Sequence, residues 1–372
     1  MKHFFNHAFR WGRTVAILSV PLFILGCNNN QSDSKAQSTK KLDTVSITNG
    51  KGMKATFCPN GARLMSLTVP GKTGKPVDVV IGFSDPKDYD SATEPYFGAT
   101  IGRYGNRIAK GKFTLEGKTY QIPLNNGVNA LHGGTKGFQY KTWKLNKLSD
   151  SVLHCTLISP EGDMGFPGRL SVFVKYTLTS KGGLNIDYSA YTNAPTVINL
   201  TNHAFFNLNG SGSILNHSLQ IAANRFTPVD STLIPTGELK EVNHSPFDFR
   251  IPKTIGKDID EHNTQLHFGK GYDHNYVLNK TGGKPVAEVR GDQSGITMQI
   301  YTTEPGLQFY SGNFMQGKNK LRNGTDDFRT AFCLETQHFP DSPNHPEFPY
   351  AVLWPGQKYK SHSEYRFWVK KE

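Results

Sequence analysis

Two side chains in this 372-residue chain have the type and setting for proton transfer, His203 and Glu335. His203 lies in Ile198-Asn199-Leu200-Thr201-Asn202-His203-Ala204-Phe205-Phe206-Asn207-Leu208, a stretch that starts as a strand. Thr196, Val197 and Ile198 are β-formers behind Pro195. Asn199, Asn202 and Asn207 are expected to fix the tautomer and tilt of the imidazole, and the two phenylalanines to wall one side of it. An imidazole titrating near neutral pH suits a proton donor. The alternative is a satisfied, half-buried histidine at a strand end. Glu335 sits in Cys333-Leu334-Glu335-Thr336-Gln337, a carboxylate inside an apolar strand. A glutamate is costly to bury unless paired or used. Facing a pocket, it would gain basicity by partial desolvation; facing water from an edge strand, it would have no such role.

Further polar segments exceed what a packed core requires. Gly102-Arg103-Tyr104-Gly105-Asn106-Arg107-Ile108 sets two arginines among glycines, which let a ligand approach the backbone closely. Arg107, beside Asn106, suits hydroxyls or an anion, or else a surface salt bridge. His132 stands on the turn Leu131-His132-Gly133-Gly134. Asp273 lies in Gly271-Tyr272-Asp273-His274-Asn275, and Gln308 in Pro305-Gly306-Leu307-Gln308-Phe309-Tyr310. The glycine spacing is not GxGxxG, no GxSxG elbow occurs, and neither HExxH nor a close histidine pair beside carboxylates is found. No dinucleotide, esterase or metal site is therefore assigned, and no cofactor is expected.

The elements that must position these groups are strands. With 37 glycines, 21 prolines and 12% aromatic residues, the chain reads as many short strands joined by tight turns. Leu170, Val172, Val174, Tyr176 and Leu178 alternate with Ser171, Phe173, Lys175 and Thr177. Leu184, Ile186, Tyr188 and Ala190 alternate in the same way beyond Gly182-Gly183, predicting an antiparallel pair with one buried face. Lys112 to Leu115 and Lys118 to Ile122 flank Glu116-Gly117 as a hairpin. Strands are also expected at Lys54 to Phe57, Arg63 to Val69, Val77 to Phe83, Ser218 to Ala222, Ile296 to Thr302, Gly306 to Ser311, Ala331 to Thr336 and Tyr365 to Val369, with a short helix near Thr254 to Asp260. No composition break divides the body. One large all-β domain is expected, an antiparallel β-sandwich rather than a closed barrel. The formal charge of +12 is spread along the chain without an aromatic ladder, so no nucleic-acid partner is expected.

The first residues read as a targeting segment. Lys2, Arg10 and Arg13 precede an apolar run, Thr14 to Leu25, too short to span a bilayer comfortably. It ends in Ile24-Leu25-Gly26-Cys27, similar to a bacterial lipobox. Residues 1–26 are expected to be a lipoprotein signal peptide, Cys27 the lipidated residue, and 27–41 a flexible polar tether. The protein is then expected in the bacterial envelope, anchored to a membrane, the outer membrane on its periplasmic side, as a monomer. Asn28 after the cysteine is not the aspartate typical of inner-membrane retention. Cys58, Cys155 and Cys333 cannot all pair and read as small buried residues.

Taken together, the polar segments resemble the aldose 1-epimerase (galactose mutarotase) family. The matching pieces are Gly102-Arg103 with Asn106 to Gly111, Leu131 to Gly134, Asn199 to His203, Phe206-Asn207-Leu208, Asp273-His274-Asn275, Pro305 to Tyr310 and Leu334 to Gln337. They keep the family's order over nearly the whole body, residues 42–372. The resemblance implies the galactose mutarotase-like supersandwich and a sugar cleft. It also implies His203 as general acid and Glu335 as general base, with Asn106, Arg107, His132, Asp273 and Gln308 as ligands of a free aldohexose. Phe205 departs from the family, which commonly has a tyrosine there, and this bears on sugar preference. Anomer exchange needs one group to take the proton of the C1 hydroxyl while another protonates the ring oxygen. Rotation about C1–C2 and reclosure follow, with no metal, nucleotide or covalent intermediate. The rival readings are a non-catalytic sugar-binding lipoprotein on the same sandwich and an enzyme for phosphorylated or larger sugars, which would show a second basic cluster at the cleft.

Overall fold

Period-2 patterning organises the molecule as the sequence leads one to expect. The computed structural model describes residues 44–369; the leader, Cys27 and the tether lie outside them. Leu170–Leu178 and Gly183–Thr192 pair antiparallel over their lengths, with Val172 opposite Ala190 and Tyr176 opposite Ile186. Their alternate apolar residues are buried, because successive side chains on a pleated strand point to opposite faces. These strands are the third and fourth of a nine-stranded sheet. In order it contains Lys144–Ser149, Val152–Ser159, Leu170–Leu178, Gly183–Thr192, Tyr359–Val369, Ile296–Thr302, Ala287–Arg290, Ser218–Ile221 and Lys253–Thr254. A five-stranded sheet contains Lys240–Glu241, Ala223–Phe226, Asp273–Leu278, Gly306–Tyr310 and Cys333–Gln337, and a four-stranded sheet begins the body at Val45–Thr48. All the strand pairings named here are antiparallel.

One apolar cluster joins the three sheets. Tyr188, Met298 and Phe367 come to it from the nine-stranded sheet, Leu307, Phe309 and Leu334 from the five-stranded one, and Ile47, Phe57 and Leu67 from the four-stranded one. Burying that much hydrocarbon is the dominant favourable term in a fold of this size, at roughly 1.5–3 kcal/mol per large side chain. The hairpin Lys112–Leu115/Lys118–Gln121 forms as expected, with Glu116 and Gly117 both at positive φ (51° and 75°), the geometry of a two-residue primed turn.

Two expectations change. The strand expected over Val77 to Phe83 is shorter, Pro76–Asp78, and the chain beyond it pairs only locally, Val80 bridging Phe206. The helix expected near Thr254 to Asp260 is absent: Lys253–Thr254 is a short edge strand paired with Ser218 and Leu219. Among the described residues the α-helix lies later, at Thr264–Gly269. There the Asn263 side chain accepts hydrogen bonds from the N–H groups of Gln265 and Leu266, and so caps the first turn.

Candidate active site

The register of three neighbouring strands builds one wall of the site. Asn275, Gln308 and Glu335 are directly opposite one another on Asp273–Leu278, Gly306–Tyr310 and Cys333–Gln337, so their side chains share a face. Asp273, Tyr310 and Cys333 form the next row on that face. The alternate residues His274, Phe309 and Leu334 form a row on the opposite face, where Phe309 and Leu334 pack in the core. Glu335 therefore does not face water: it is 2% exposed. Across this wall the Gln308 amide donates to Asp273 Oδ1 at 2.7 Å, and Asp273 Oδ2 lies 3.7 Å from the Arg107 guanidinium.

Loops and two-residue strands build the other wall. Thr201–Asn202 pairs with Thr100–Ile101, His203 N–H donates to the Ala99 carbonyl at 2.9 Å, and the His203 carbonyl accepts from Gly98 N–H. Here the structure corrects an expectation. The asparagines around His203 hold backbone, not imidazole: Asn199 bonds Gly105 and His338, Asn202 bonds Gly98 and Ala204, and Asn207 bonds Gly212 and Thr330. The imidazole is oriented instead by Cys333 Sγ, 3.5 Å from Nδ1, and by two stacked rings, Phe205 at 4.9 Å and Tyr96 at 5.5 Å between centroids. Phe206 turns away to stack on Tyr365 in the core. His203 Nε2 then stands 3.6 Å from Glu335 Oε1.

Arg107–Ile108 pairs with Ala130–Leu131, which brings Arg107 and His132 to the same place. Asn106 adopts positive φ (66°); its side-chain oxygen accepts from Arg107 N–H, and its own N–H donates to His132 Nδ1 at 3.1 Å. Gly133 cannot be another residue, since a Cβ there would meet the Gly102 carbonyl oxygen at 2.1 Å. Asn126 accepts from Arg107 Nε at 3.0 Å. The structure thus gathers His203, Glu335, Arg107, His132, Asp273 and Gln308 in one polar cleft, with Asn106 as the hinge between two of them. Arg103 is elsewhere. Its guanidinium is buried and spent on the carbonyls of Pro167, Gly168, Ser159 and Pro160.

Burial governs the protonation of the cleft. It pushes the His203 imidazole down to about 3 and His132 well below its ordinary value. The Glu335 carboxyl is raised well above the usual carboxylate range, first by burial and then by Asp273 and Glu94. Asp273 is raised by burial, with Arg107 opposing. Each effect has the same cause, the cost of charge in a medium less polarisable than water. His132, His203 and Glu335 also bring one possible metal-ligand atom each within 4.8 Å of the others. Their separation in the chain hid this cluster from motif reading. Since His132 Nδ1 accepts the Asn106 N–H, however, the neutral ring carries its proton on Nε2. That nitrogen donates to oxygen rather than ligating a cation, so the three residues fit a hydroxyl better than a metal.

Tyr96, Asn126 and Cys333 were not singled out as site residues from sequence. Cys333 was discoverable, because it stands two residues before Glu335 on the same strand face. Tyr96 and Asn126 gave no signal, since both act across loops.

An aldose 1-epimerase family model matches residues 43–366, a span that includes every cleft residue named above. The chain belongs to the aldose 1-epimerase family. Among its relatives, galactose mutarotase of Sus scrofa is 44% identical over 303 residues, covering 80% of this chain and 86% of the relative. Aldose 1-epimerase of Escherichia coli (strain K12) is 38% identical over 345 residues, 91% of this chain and 99% of the relative. Among solved structures, the aldose epimerase homologue from C. elegans has a TM-score of 0.83 at 31% identity, covering 89% of this chain and all of that one. Galactose 1-epimerase from Lactobacillus acidophilus NCFM has a TM-score of 0.79 at 26% identity, covering 89% and 96%. This family's fold is thus the architecture described above, a single antiparallel all-β domain.

Proposed function

We propose that this family member is an aldose 1-epimerase interconverting the α and β anomers of free hexoses such as glucose and galactose, with His203 as general acid and Glu335 as general base. The observation that carries the reading is the approach of His203 Nε2 to Glu335 Oε1, 3.6 Å, in a cleft whose remaining polar atoms are short of partners. Glu335 Oε2 and Gln308 Oε1 are buried without a hydrogen bond. Buried polar atoms are nearly always paired, so these two mark the place of a polar ligand. The two oxygens on C1 of a cyclic sugar are closer together than that 3.6 Å, and both proton carriers can reach their own oxygen at once.

Proton bookkeeping supports the roles. Ring opening takes the C1 hydroxyl proton onto Glu335 and gives one from His203 to the ring oxygen. It starts from carboxylate plus imidazolium and ends at carboxylic acid plus neutral imidazole. The second arrangement is the one that burial favours. The cleft therefore stabilises the protonation state that accompanies the open-chain sugar, and reclosure after rotation about C1–C2 runs the transfers backwards. Each transfer is worth ~10²–10⁴-fold. Arg107, His132, Asp273 and Gln308 hold the remaining hydroxyls, with Asn106 orienting Arg107 and His132. No step calls for a metal or a nucleotide. A free sugar is favoured over a phosphorylated one because Arg103 is occupied and Arg107 is already paired with Asp273. Polarimetry on fresh α-glucose and α-galactose tests this. Glu335→Gln and His203→Asn are each expected to lose at least 100-fold in rate, and full activity in either variant would sink the assignment.

The same proposal extends to the envelope: residues 1–26 a lipoprotein signal peptide, Cys27 the lipidated residue, 27–41 a tether, and 42–372 the epimerase body. The support is the basic start, the apolar run and Gly26-Cys27. The protein would then act as a monomer held at a membrane, the outer membrane on its periplasmic side. Cys27→Ser should release it from the membrane fraction, and continued sedimentation with membranes would refute the anchor.

A further inference from the structure

Glu94 is a carboxyl that the proton-transfer scheme leaves unused. It stands on a segment pinned on both sides. Thr93 exchanges two hydrogen bonds with the Asn319 side chain, at 3.1 and 2.7 Å, and the Arg63 guanidinium donates to the carbonyls of Pro95 and Phe97 at 2.9 and 2.8 Å. The flanking residues Ala92 and Tyr96 pack on the apolar cluster that contains Phe205 together with Tyr310 and Cys333, two members of the row next to Gln308 and Glu335. Tyr96 itself stacks on His203 and meets His132 edge-on at 4.5 Å. The segment thus borders the cleft beside His203 and His132, with its backbone held on both sides of Glu94.

Glu94 is half-buried, and its Oε1 is wholly buried with no hydrogen-bond partner. Leaving such an oxygen unpaired costs about 1–3 kcal/mol, a penalty that a ligand hydroxyl would remove. Burial raises its carboxyl to about 7, with the charges of Asp326 and Asp273 adding to that and a hydrogen bond from the Tyr96 backbone N–H and the Arg63 charge opposing it. Near neutral pH the group both donates and accepts, as a sugar hydroxyl does.

We propose that Glu94 is a further substrate ligand, binding a hexose hydroxyl other than the one at C1 and contributing to the choice among epimeric sugars. This rests on the reading that the cleft takes a free sugar, and it adds a carboxyl that no motif marked. As a ligand that is not a proton carrier, Glu94 acts on binding more than on chemistry.

The test measures KM and kcat for wild type and Glu94→Ala with glucose, galactose and their 2-, 3-, 4- and 6-deoxy derivatives, with Glu94→Gln as the variant that keeps the shape. Glu94→Ala is expected to raise KM about tenfold while kcat changes less than threefold. For one deoxy sugar the variant should have no further effect, because the partner hydroxyl is already gone; this coupling identifies the hydroxyl. A uniform KM effect across the whole panel, or none, would overturn the proposal. If wild type accelerates no anomer exchange, calorimetric binding of the same panel reads the Glu94 contact without turnover, so failure of this inference and failure of the epimerase reading are distinguishable.

Discussion

Three histidine–glutamate pairs lie among the described residues, and the two with a buried carboxylate differ in what they leave undone. His338 Nδ1 and Glu304 Oε2 are 2.7 Å apart, and the other carboxyl oxygen accepts from the Tyr359 hydroxyl at 3.4 Å. That pair closes on itself. His203 and Glu335 stand 3.6 Å apart, and Glu335 Oε2 has no partner. The first pair has geometry that stabilises a fold; the second keeps hydrogen-bonding capacity in reserve for something that must enter. The same two residue types thus have opposite uses, and the unfilled valence tells them apart.

The largest expected effect sharpens this contrast. Glu335→Gln should lower kcat by ~10²–10⁴-fold and leave the melting temperature unchanged or higher. Glu304→Gln should do the reverse, destabilising the fold by roughly 1–3 kcal/mol with kcat within a few-fold. Equal behaviour of the two variants in polarimetry and calorimetry would erase the distinction.

The pH profile is the next test. Activity needs one proton shared by His203 and Glu335, so it falls when a second proton joins the pair and when the single proton leaves. Because burial lowers His203 to about 3 and raises Glu335, the acid limb should lie well below the 6.5 of a free imidazole. The alkaline limb should move with Glu335. An acid limb at 6.5 in kcat would show that the pair is not desolvated as described.

Stability gives a smaller, separate signal. His203 and His274 are both lowered to about 3 by burial, from 6.5. The unfolded chain therefore binds more protons below pH 6.5, and stability is lost as pH falls from there toward 3, by about 1.4 kcal/mol per pH unit for each histidine at most. The buried carboxyls raised by the same cause contribute with the opposite sign, so the histidine share is read as the difference in slope between wild type and His274→Gln in chemical denaturation at pH 7, 6 and 5, and identical slopes would contradict the burial. The smallest effect is expected at Cys333→Ala, a few-fold loss in kcat with little change in KM, because a thiol 3.5 Å from Nδ1 is only a weak partner.

Much of this was legible before the structure. The hairpin at Glu116-Gly117 and the alternation from Leu170 to Ala190 announce themselves because turn chemistry and strand period are local. The ordered set of polar segments pointed to the family for the same reason, each motif being contiguous. Other features were not legible. Asn199, Asn202 and Asn207 stand beside His203 in sequence, yet they bond backbone, and nothing local distinguishes the two uses of an amide. The helix expected at Thr254 to Asp260 lost to a tertiary strand pairing with Ser218 and Leu219.

By itself the sequence determined the period of the strands, the turns between them and the presence of an imidazole and a carboxylate able to exchange protons. Only the tertiary structure decided that Glu335 faces a cleft rather than water, that Tyr96 and Glu94 border that cleft, and that Arg103 does not. The reason is physical. Facing, burial and the shift of a carboxyl's acidity depend on which strands become neighbours, and that is settled by packing between segments that are not adjacent in the chain, such as those of His203 and Glu335.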